Sequence, residues 1–267
     1  MQIAIGTCFD YRIPIDQQLA QIATTPFRTV SLGGDPNHSG YLTTKGRFRL
    51  SGLAEEHGIT INSLHAPYGR KHDISYSDSE SRMASVCRIA LAMAAAVELD
   101  AKTVIFHLQS WPAEAGTQDV DSLLRSLEAL VESAENMRIR LAAENLPGEV
   151  ASVFLHRALA EFKSDNFGFC YDSSHDQLGP GEPYEVLEEF ADRLFAVHLS
   201  DNDGQKDRHW LPFTGIVDWE RVCYILHEAH YANPLLLEVE NNDQIPSDEF
   251  LNKSATAAIR LRNLILS

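Results

Sequence analysis

The sequence predicts a single (β/α)8 barrel of the TIM type over residues 1–267, and three observations carry that prediction. Eight short β-branched or aromatic runs recur along the chain, and segments of helical periodicity separate them. The strand-like runs are apolar almost throughout, as strands of a parallel sheet covered by helices must be, and eight strand–helix units favour a closed barrel over an open sheet. Histidines and carboxylates stand where six of the runs end, the side on which active sites of such barrels lie.

The strand-like runs begin near residues 3, 29, 60, 103, 140, 167, 194 and 235, and read QIAIGTC, TVSLGG, TINSLHA, TVIFHL, RLAAENL, FGFCYD, LFAVHL and LLLEVE. Pro, Gly, Asn, Asp or Ser breaks the runs just after their polar residue. Between the third and fourth runs, Met83, Val86, Cys87, Ala90, Leu91, Ala94 and Val97 share one face at i, i+3, i+4, i+7 spacing, which predicts a helix with that face buried. Leu123, Leu124, Leu127, Leu130, Val131 and Ala134 repeat the pattern, and Phe154, Leu155, Leu159 and Phe162 do so more briefly. A last helix is expected from an N-cap at Ser247, with Asp248 and Glu249 in its first turn, to the C-terminus. No Pro/Ser/Gly-rich linker divides the chain, so one domain is expected.

Composition narrows the class. With 44% hydrophobic and 22% charged residues the chain reads as soluble and globular. No apolar run approaches the roughly 20 residues that span a bilayer. The uncharged stretch IALAMAAAV reads instead as the buried side of a helix. The N-terminus enters a strand directly, and the four cysteines lie far apart without CxxC spacing, so a reduced, cytoplasmic setting is expected and a disulfide framework or thiolate zinc site is not. A net charge of −16 disfavours a surface built to grip nucleic acid, although metal ions in a cleft override a global sign. A small-molecule partner fits better, and a homo-oligomer is admitted.

The polar strand ends run His65, His107, Glu144, Asp172, His198, Asp207/His209 and Glu238. A buried strand ending in an uncompensated charge is expensive, and six doing so point to convergence on a divalent metal. Glu144, Asp172, His198 and Glu238 come from the fifth to eighth strands, neighbours in a barrel, and three carboxylates with one imidazole suit Mn²⁺, Mg²⁺, Co²⁺ or Zn²⁺. Bland readings stand beside this one: Asp172 starts a turn before Ser173 and Ser174, and His198 is a satisfied core histidine. Glu238, between LLL and Val239, is hardest to explain without a partner. His65 and His107 suit core or substrate roles as readily as metal, and His175 suits a ligand, a substrate donor or a loop residue. Asp207 and His209 either chelate a further ion or belong to a charged loop.

Taken together, HAPYG, FHLQ, AAENLPG, FCYDSSHDQLG, HLSDNDGQKDRHWLPFTGIVDW and LLLEVEN resemble the xylose isomerase-like barrel superfamily, over the third to eighth strands and about two-thirds of the chain. In its isomerase and epimerase branch the resemblance implies one divalent metal held by Glu144, Asp172, His198 and Glu238, chelating a ketose and stabilising an enediolate. Glu144 and Glu238 would then be the paired acid and base, and His175 would hydrogen-bond a substrate oxygen. In its endonuclease IV-type branch, which cleaves DNA at abasic sites, the resemblance implies three zinc ions on His65, His107, Glu144, Asp172, His175, His198, Asp207, His209 and Glu238. Two further readings are a keto-polyol dehydratase using the same first proton removal, and a sugar binder without turnover, which would have no need of two bases. The chain departs from the superfamily where many epimerases carry an Arg shortly after the seventh-strand histidine: Gly204 stands there, leaving Lys206 or Arg208 for that role. The second strand often ends in Glu, whereas here the run is SLGGD. Arg70 and Trp111 are the remaining loop candidates for substrate binding, the cation for an anionic group and the indole for the apolar side of a sugar, with His72 beside Arg70.

Overall fold

The protein is seen in a computed structural model that describes residues 1–112 and 116–267. Eight strands, β1 (Ile3–Gly6), β2 (Thr29–Leu32), β3 (Thr60–His65), β4 (Thr103–Phe106), β5 (Arg140–Glu144), β6 (Phe167–Asp172), β7 (Leu194–Leu199) and β8 (Leu235–Leu237), pair in parallel in sequence order, and β8 closes on β1. Helix α1 (Ile15–Ala23) follows β1, and α2 (Pro36–Ser39) and α3 (Thr44–His57) follow β2. Next come α4 (Ser79–Glu98), α5 (Val120–Met137) and α6 (Glu149–Glu161) after β3, β4 and β5. The chain finishes with α7 (Ser173–Asp176) and α8 (Glu185–Glu189) after β6, α9 (Trp219–Glu228) after β7 and α10 (Ser247–Leu266) after β8. This is a single (β/α)8 barrel, with strands where the apolar runs predict them.

Short acceptor side chains start the helices. Asp78 accepts from the Ser81 N–H before α4, Asp119 from those of Asp121 and Ser122 before α5, and Asp218 from that of Arg221 before α9. At α10 the expectation shifts by one position: Ser247 is the first helical residue and Pro246 occupies the cap position, with no capping side chain. Among the described residues no helix is long and apolar enough to cross a membrane.

The pleat of the strands positions the site. Leu141 and Ala143 of β5 join the large core between barrel and helices, whereas Ala142 joins a small interior cluster with Ile105, Cys170 and Ala196. Side chains alternate sides along a strand, so Glu144 projects inward one pleat above Ala142. By the same alternation Asp172 stands above Cys170 and His198 above Ala196. The low interior layer is small and apolar, and the polar layer sits on it at the C-terminal end.

On α4 the predicted face is buried only at Val86, with Ala90 packed beside it. Met83, Leu91 and Val97 are 59%, 58% and 48% exposed, and the barrel is met by Val86, Ile89, Ala92, Met93 and Ala96. This helix is apolar over most of its circumference, so periodicity alone cannot choose a side. Leu123, Leu127, Leu130, Val131 and Ala134 of α5 are buried as predicted, as are Phe154, Leu155 and Leu159 of α6.

Candidate active site and metal centre

Glu144 lies at the centre of the convergent strand ends. Its Oε2 accepts from His65 Nε2 at 3.0 Å and His107 Nε2 at 3.1 Å, and its Oε1 from His198 Nδ1 at 2.9 Å. His198 Nδ1 is also 3.0 Å from Glu238 Oε2, so one imidazole bridges the carboxylate that ends β5 and the one that directly follows β8. Asn145 locks the ends of β5 and β6 together: its Oδ1 accepts from the Asp172 N–H at 2.7 Å and its Nδ2 donates to the Asp172 carbonyl at 2.9 Å. Asp172 Oδ1 caps α7 by accepting from the His175 N–H at 2.7 Å. Beyond it, His175 Nε2 lies 3.2 Å from Asp207 Oδ2, which also faces His209 Nε2 at 3.0 Å. His209 Nδ1 in turn donates to the Glu238 carbonyl at 3.0 Å.

Four groups offer a cation a site. Glu144, Asp172, His198 and Glu238 each present a donor atom, all within 4.8 Å of one another. Asp172 Oδ2 is buried and has no hydrogen-bond partner among the described residues. A carboxylate oxygen in that position is costly unless a positive charge meets it. Hard oxygen donors with one imidazole and no thiolate fit a divalent ion of the Mn, Mg, Co or Zn kind. His65, His107 and Glu144 form a second such group, sharing Glu144.

Electrostatics single out the same residue. Burial alone would raise Glu144, but His198, His107 and His65 hold its carboxyl well below the usual range. Glu238 is likewise raised by burial and brought down to about 2 by His198. Asp172 goes the other way: burial, helped by Glu144, Asp207 and Glu238, pushes it up to about 7 despite His175. Burial opposes the charge on His175, yet Asp172 and Asp207 raise it to about 10. His198 is raised well above its ordinary value against burial by Cys170, Glu238 and Glu144. Asp172 is thus the carboxylate of the cluster whose ionisation the protein alone does not support.

Above these groups opens a cavity of about 210 Å³, walled by His65, Tyr68, His107, Trp111, Glu144, Leu146, His175, Asp207, His209 and Glu238. Trp111 therefore stands at the cavity. Arg70, Lys206 and Arg208 do not line it. Arg208 donates from Nε and Nη2 to Asp203 Oδ2 at 2.9 and 2.7 Å and lies over the Trp210 ring, while Lys206 and Arg70 are exposed. Tyr68, within HAPYG but not singled out by spacing, packs its ring on His65 and His107 with centroids 5.2 and 5.0 Å away. The SLGGD ending of β2 has a matching cause: a Cβ on Gly34 would meet Tyr68 Cε1 at 2.4 Å, and one on Gly33 the Tyr11 hydroxyl at 2.4 Å. Tyrosines from neighbouring loops fill the space that a side chain there would need.

Asp201, first of the DND run, is buried and structural. It accepts from Trp219 Nε1 at 2.9 Å and from the backbone N–H groups of Val217 and Thr214 at 3.1 and 3.2 Å, framing the loop that carries Asp207 and His209.

Residues 19–261 match the family described as xylose isomerase-like TIM barrel. An uncharacterized protein of Sinorhizobium fredii is 27% identical over 243 residues, 80% of this chain and 78% of that protein. Among solved structures, a D-tagatose 3-epimerase-like protein superposes with a TM-score of 0.83 at 23% identity, covering 100% of this chain and 98% of that one. The D-psicose 3-epimerase of Clostridium cellulolyticum H10, solved with D-tagatose, does so with a TM-score of 0.82 at 13% identity over 99% of both chains. At such identities the likeness to solved structures establishes the fold.

Proposed function

The chain belongs to the xylose isomerase-like TIM barrel family, and on that premise we propose that it is a divalent-metal-dependent isomerase or epimerase of a small ketose. The observation that carries the reading is the four-donor cluster under a small cavity, with Asp172 Oδ2 buried and unpartnered inside it. Glu144, Asp172, His198 and Glu238 would hold the ion. When bound, it would act as a Lewis acid on the ketose carbonyl and offset the charge developing on its oxygen.

The chain's own residues do the rest. Glu144 and Glu238 both line the cavity from strands three places apart in a ring of eight, so they reach a molecule between them from different sides. One carboxylate would remove the proton from the carbon beside the carbonyl. The other, having taken up a proton from solvent when the ketose binds, would deliver it to the opposite face, which inverts that carbon; the first then releases its proton to solvent. His175 is held through Nδ1 by the Asn145 carbonyl at 2.9 Å, and its Nε2–H, directed to Asp207 Oδ2 at 3.2 Å, would have to be shared with or turned from Asp207 to meet a substrate oxygen. Tyr68 and Trp111 offer aromatic faces to the apolar side of a sugar and keep water from the reacting carbon. The 3-epimerase names of two structural neighbours favour inversion at C3 of a ketose. Loss of a β-hydroxyl after the same proton removal would make the protein a dehydratase, and product analysis separates the two.

A second reading rests on the second donor group, His65, His107 and Glu144, and on the chain His175–Asp207–His209. With three zinc ions these would suit phosphodiester cleavage at abasic DNA sites. The net charge of −16 and the pairing of Arg208 with Asp203 oppose it. The test is metal analysis of protein purified without added metal, followed by incubation with free ketoses in D₂O. One Mn, Mg or Co per chain with deuterium at the inverted carbon is the expected result. Three zinc ions with cleavage of abasic DNA and no ketose turnover would replace the proposal.

A further inference from the structure

A second buried carboxylate has no part in the chemistry above. Asp73, 1% exposed, lies in the loop between β3 and α4 and accepts five hydrogen bonds from neutral donors among the described residues. Oδ1 takes the Ser75 N–H at 2.8 Å and its hydroxyl at 2.6 Å, from the same loop. Oδ2 takes the Ser110 N–H and hydroxyl, both at 2.8 Å, and Gln118 Nε2 at 2.5 Å, from the loop between β4 and α5. Gln118 Nε2 also reaches the Ser110 carbonyl and hydroxyl at 3.3 and 3.2 Å, so every polar group of Ser110 is held. The loops are laced again by Ser77 N–H to the Thr117 carbonyl and Asp119 N–H to the Ser75 carbonyl, each at 2.9 Å.

These two loops carry the cavity's aromatic walls. Ser110 directly precedes Trp111, and Tyr68 stands on the loop of Asp73 itself. Hydrogen bonds to an ionised acceptor are short and about twice as strong as neutral ones, so a carboxylate with five donors fixes both segments relative to each other. A site on loops is only as well defined as the bonds that support it.

We infer that Asp73 is a positioning residue for substrate binding: it clasps the β3–α4 and β4–α5 loops so that Trp111 and Tyr68 are both held at the wall of the cavity. The kinetic side of this inference rests on the ketose reading, and the spectroscopic side does not. Asp73→Asn turns an amide N–H₂ toward donors that the carboxylate satisfied, which opens the clasp without changing side-chain size.

The Trp111 contribution to fluorescence is obtained by subtracting the spectrum of each protein's Trp111→Phe counterpart, and acrylamide serves as an uncharged quencher. Asp73→Asn should raise acrylamide quenching of Trp111 about twofold, and raise KM for the ketose about tenfold with kcat within about twofold. In a Trp111→Phe background the same substitution should raise KM markedly less, since only the part carried by Tyr68 is left. A merely structural role would lower the melting temperature and leave Trp111 quenching and KM of the folded protein unchanged, and that result overturns the inference. So does a KM effect that persists in full without the indole. Ser110→Ala, which deletes the hydroxyl's bonds to Asp73 and from Gln118 and keeps the backbone N–H, is read the same way with a smaller change, should Asp73→Asn not fold. If no ketose is turned over by the wild type, the quenching result alone decides Asp73, and it is the proposed function that falls.

Discussion

Replacing Asp172 with Asn should stabilise the metal-free protein above pH 7 and remove its response to divalent cations. The carboxyl is fully buried, and burial together with Glu144, Asp207 and Glu238 raises it from 3.8 to about 7. That interval corresponds to roughly 4 kcal/mol against the ionised form. The folded protein keeps a proton that the unfolded chain releases between about pH 4 and 7. The stability tied to this group is therefore fully present below the unfolded pKa and lost as pH rises through the folded one. Asn never ionises, and its Oδ1 still accepts from the His175 N–H. Its amide N–H₂ enters a cluster rich in carboxylate acceptors, so only part of the gain is cancelled. A net gain of about 1–4 kcal/mol is expected at pH 8, falling to less than half of that at pH 5 and vanishing only below about pH 4, which for a chain of this length is about 2–4 °C of melting temperature per kcal/mol. Metal acts in the opposite sense: an ion bound only by the native state, at a hundred times its Kd, adds about 2.7 kcal/mol to the wild type. The variant, lacking one carboxylate ligand, should show little of that rise. Scanning calorimetry of chelator-treated protein at pH 5 and 8, with and without Mn²⁺, reads both effects. Asn melting below the wild type at pH 8 without metal, or Mn²⁺ raising both proteins equally, would refute the reasoning.

Glu238→Gln should lower kcat by about 10²–10⁴ while far-UV circular dichroism stays unchanged, because the glutamate is both ligand and proton carrier; wild-type turnover on a confirmed substrate would sink that assignment. Gly34→Ala should drive Tyr68 off the two histidines, since the new methyl would lie 2.4 Å from its ring. The side chain is half exposed and free to swing, so the cost should appear as a raised KM with a loss of stability within about 1–3 kcal/mol. Unchanged KM would contradict it. Asp201→Ala leaves the Trp219 indole N–H and the backbone N–H groups of Val217 and Thr214 without their buried acceptor. Denaturation should show a loss of about 3 kcal/mol or more, and a loss below about 1 kcal/mol would show water replacing the carboxylate.

The strands were legible because both of their faces are covered. A strand packed on helices outside and filled inside leaves a continuous apolar run, and the polar residue that ends it marks the barrel mouth. The helices were legible in position and less so in orientation. An Ala-rich helix such as α4 offers several apolar stripes, and the choice of Val86, Ile89, Met93 and Ala96 over Met83, Leu91 and Val97 depends on how close the backbone must come to β3 and β4. In the site, residues on strands followed from their positions, since the pleat fixes the direction of Glu144 or His198. Loop residues did not. Arg208 has a nearer partner in Asp203, five positions earlier, and a long cation in a loop takes the local carboxylate before a distant substrate. Tyr68 and Asp73 matter through neighbours 34 to 45 positions away, and no local spacing announces such contacts.

The charge of the site ties the number of ions to the kind of substrate. With His198 neutral, Glu144, Asp172 and Glu238 carry three negative charges, and one dication leaves a single one. Asp207 is held well below the carboxylate range, against its burial, by His175 and His209, both of them raised toward the protonated form. With both imidazoles protonated that trio would add one net positive charge, and a one-ion site in that state would be close to neutral and suit an uncharged ketose. With all five imidazoles neutral and three dications on the nine residues, the same four carboxylates leave a net charge of two positive, which calls for a phosphodiester and a hydroxide. The imidazoliums of the first arrangement cannot be ligands of the second. Protonation of His175 and His209 in the metal-loaded protein, followed by NMR of their ring nitrogens, therefore separates the two chemistries before any substrate is known.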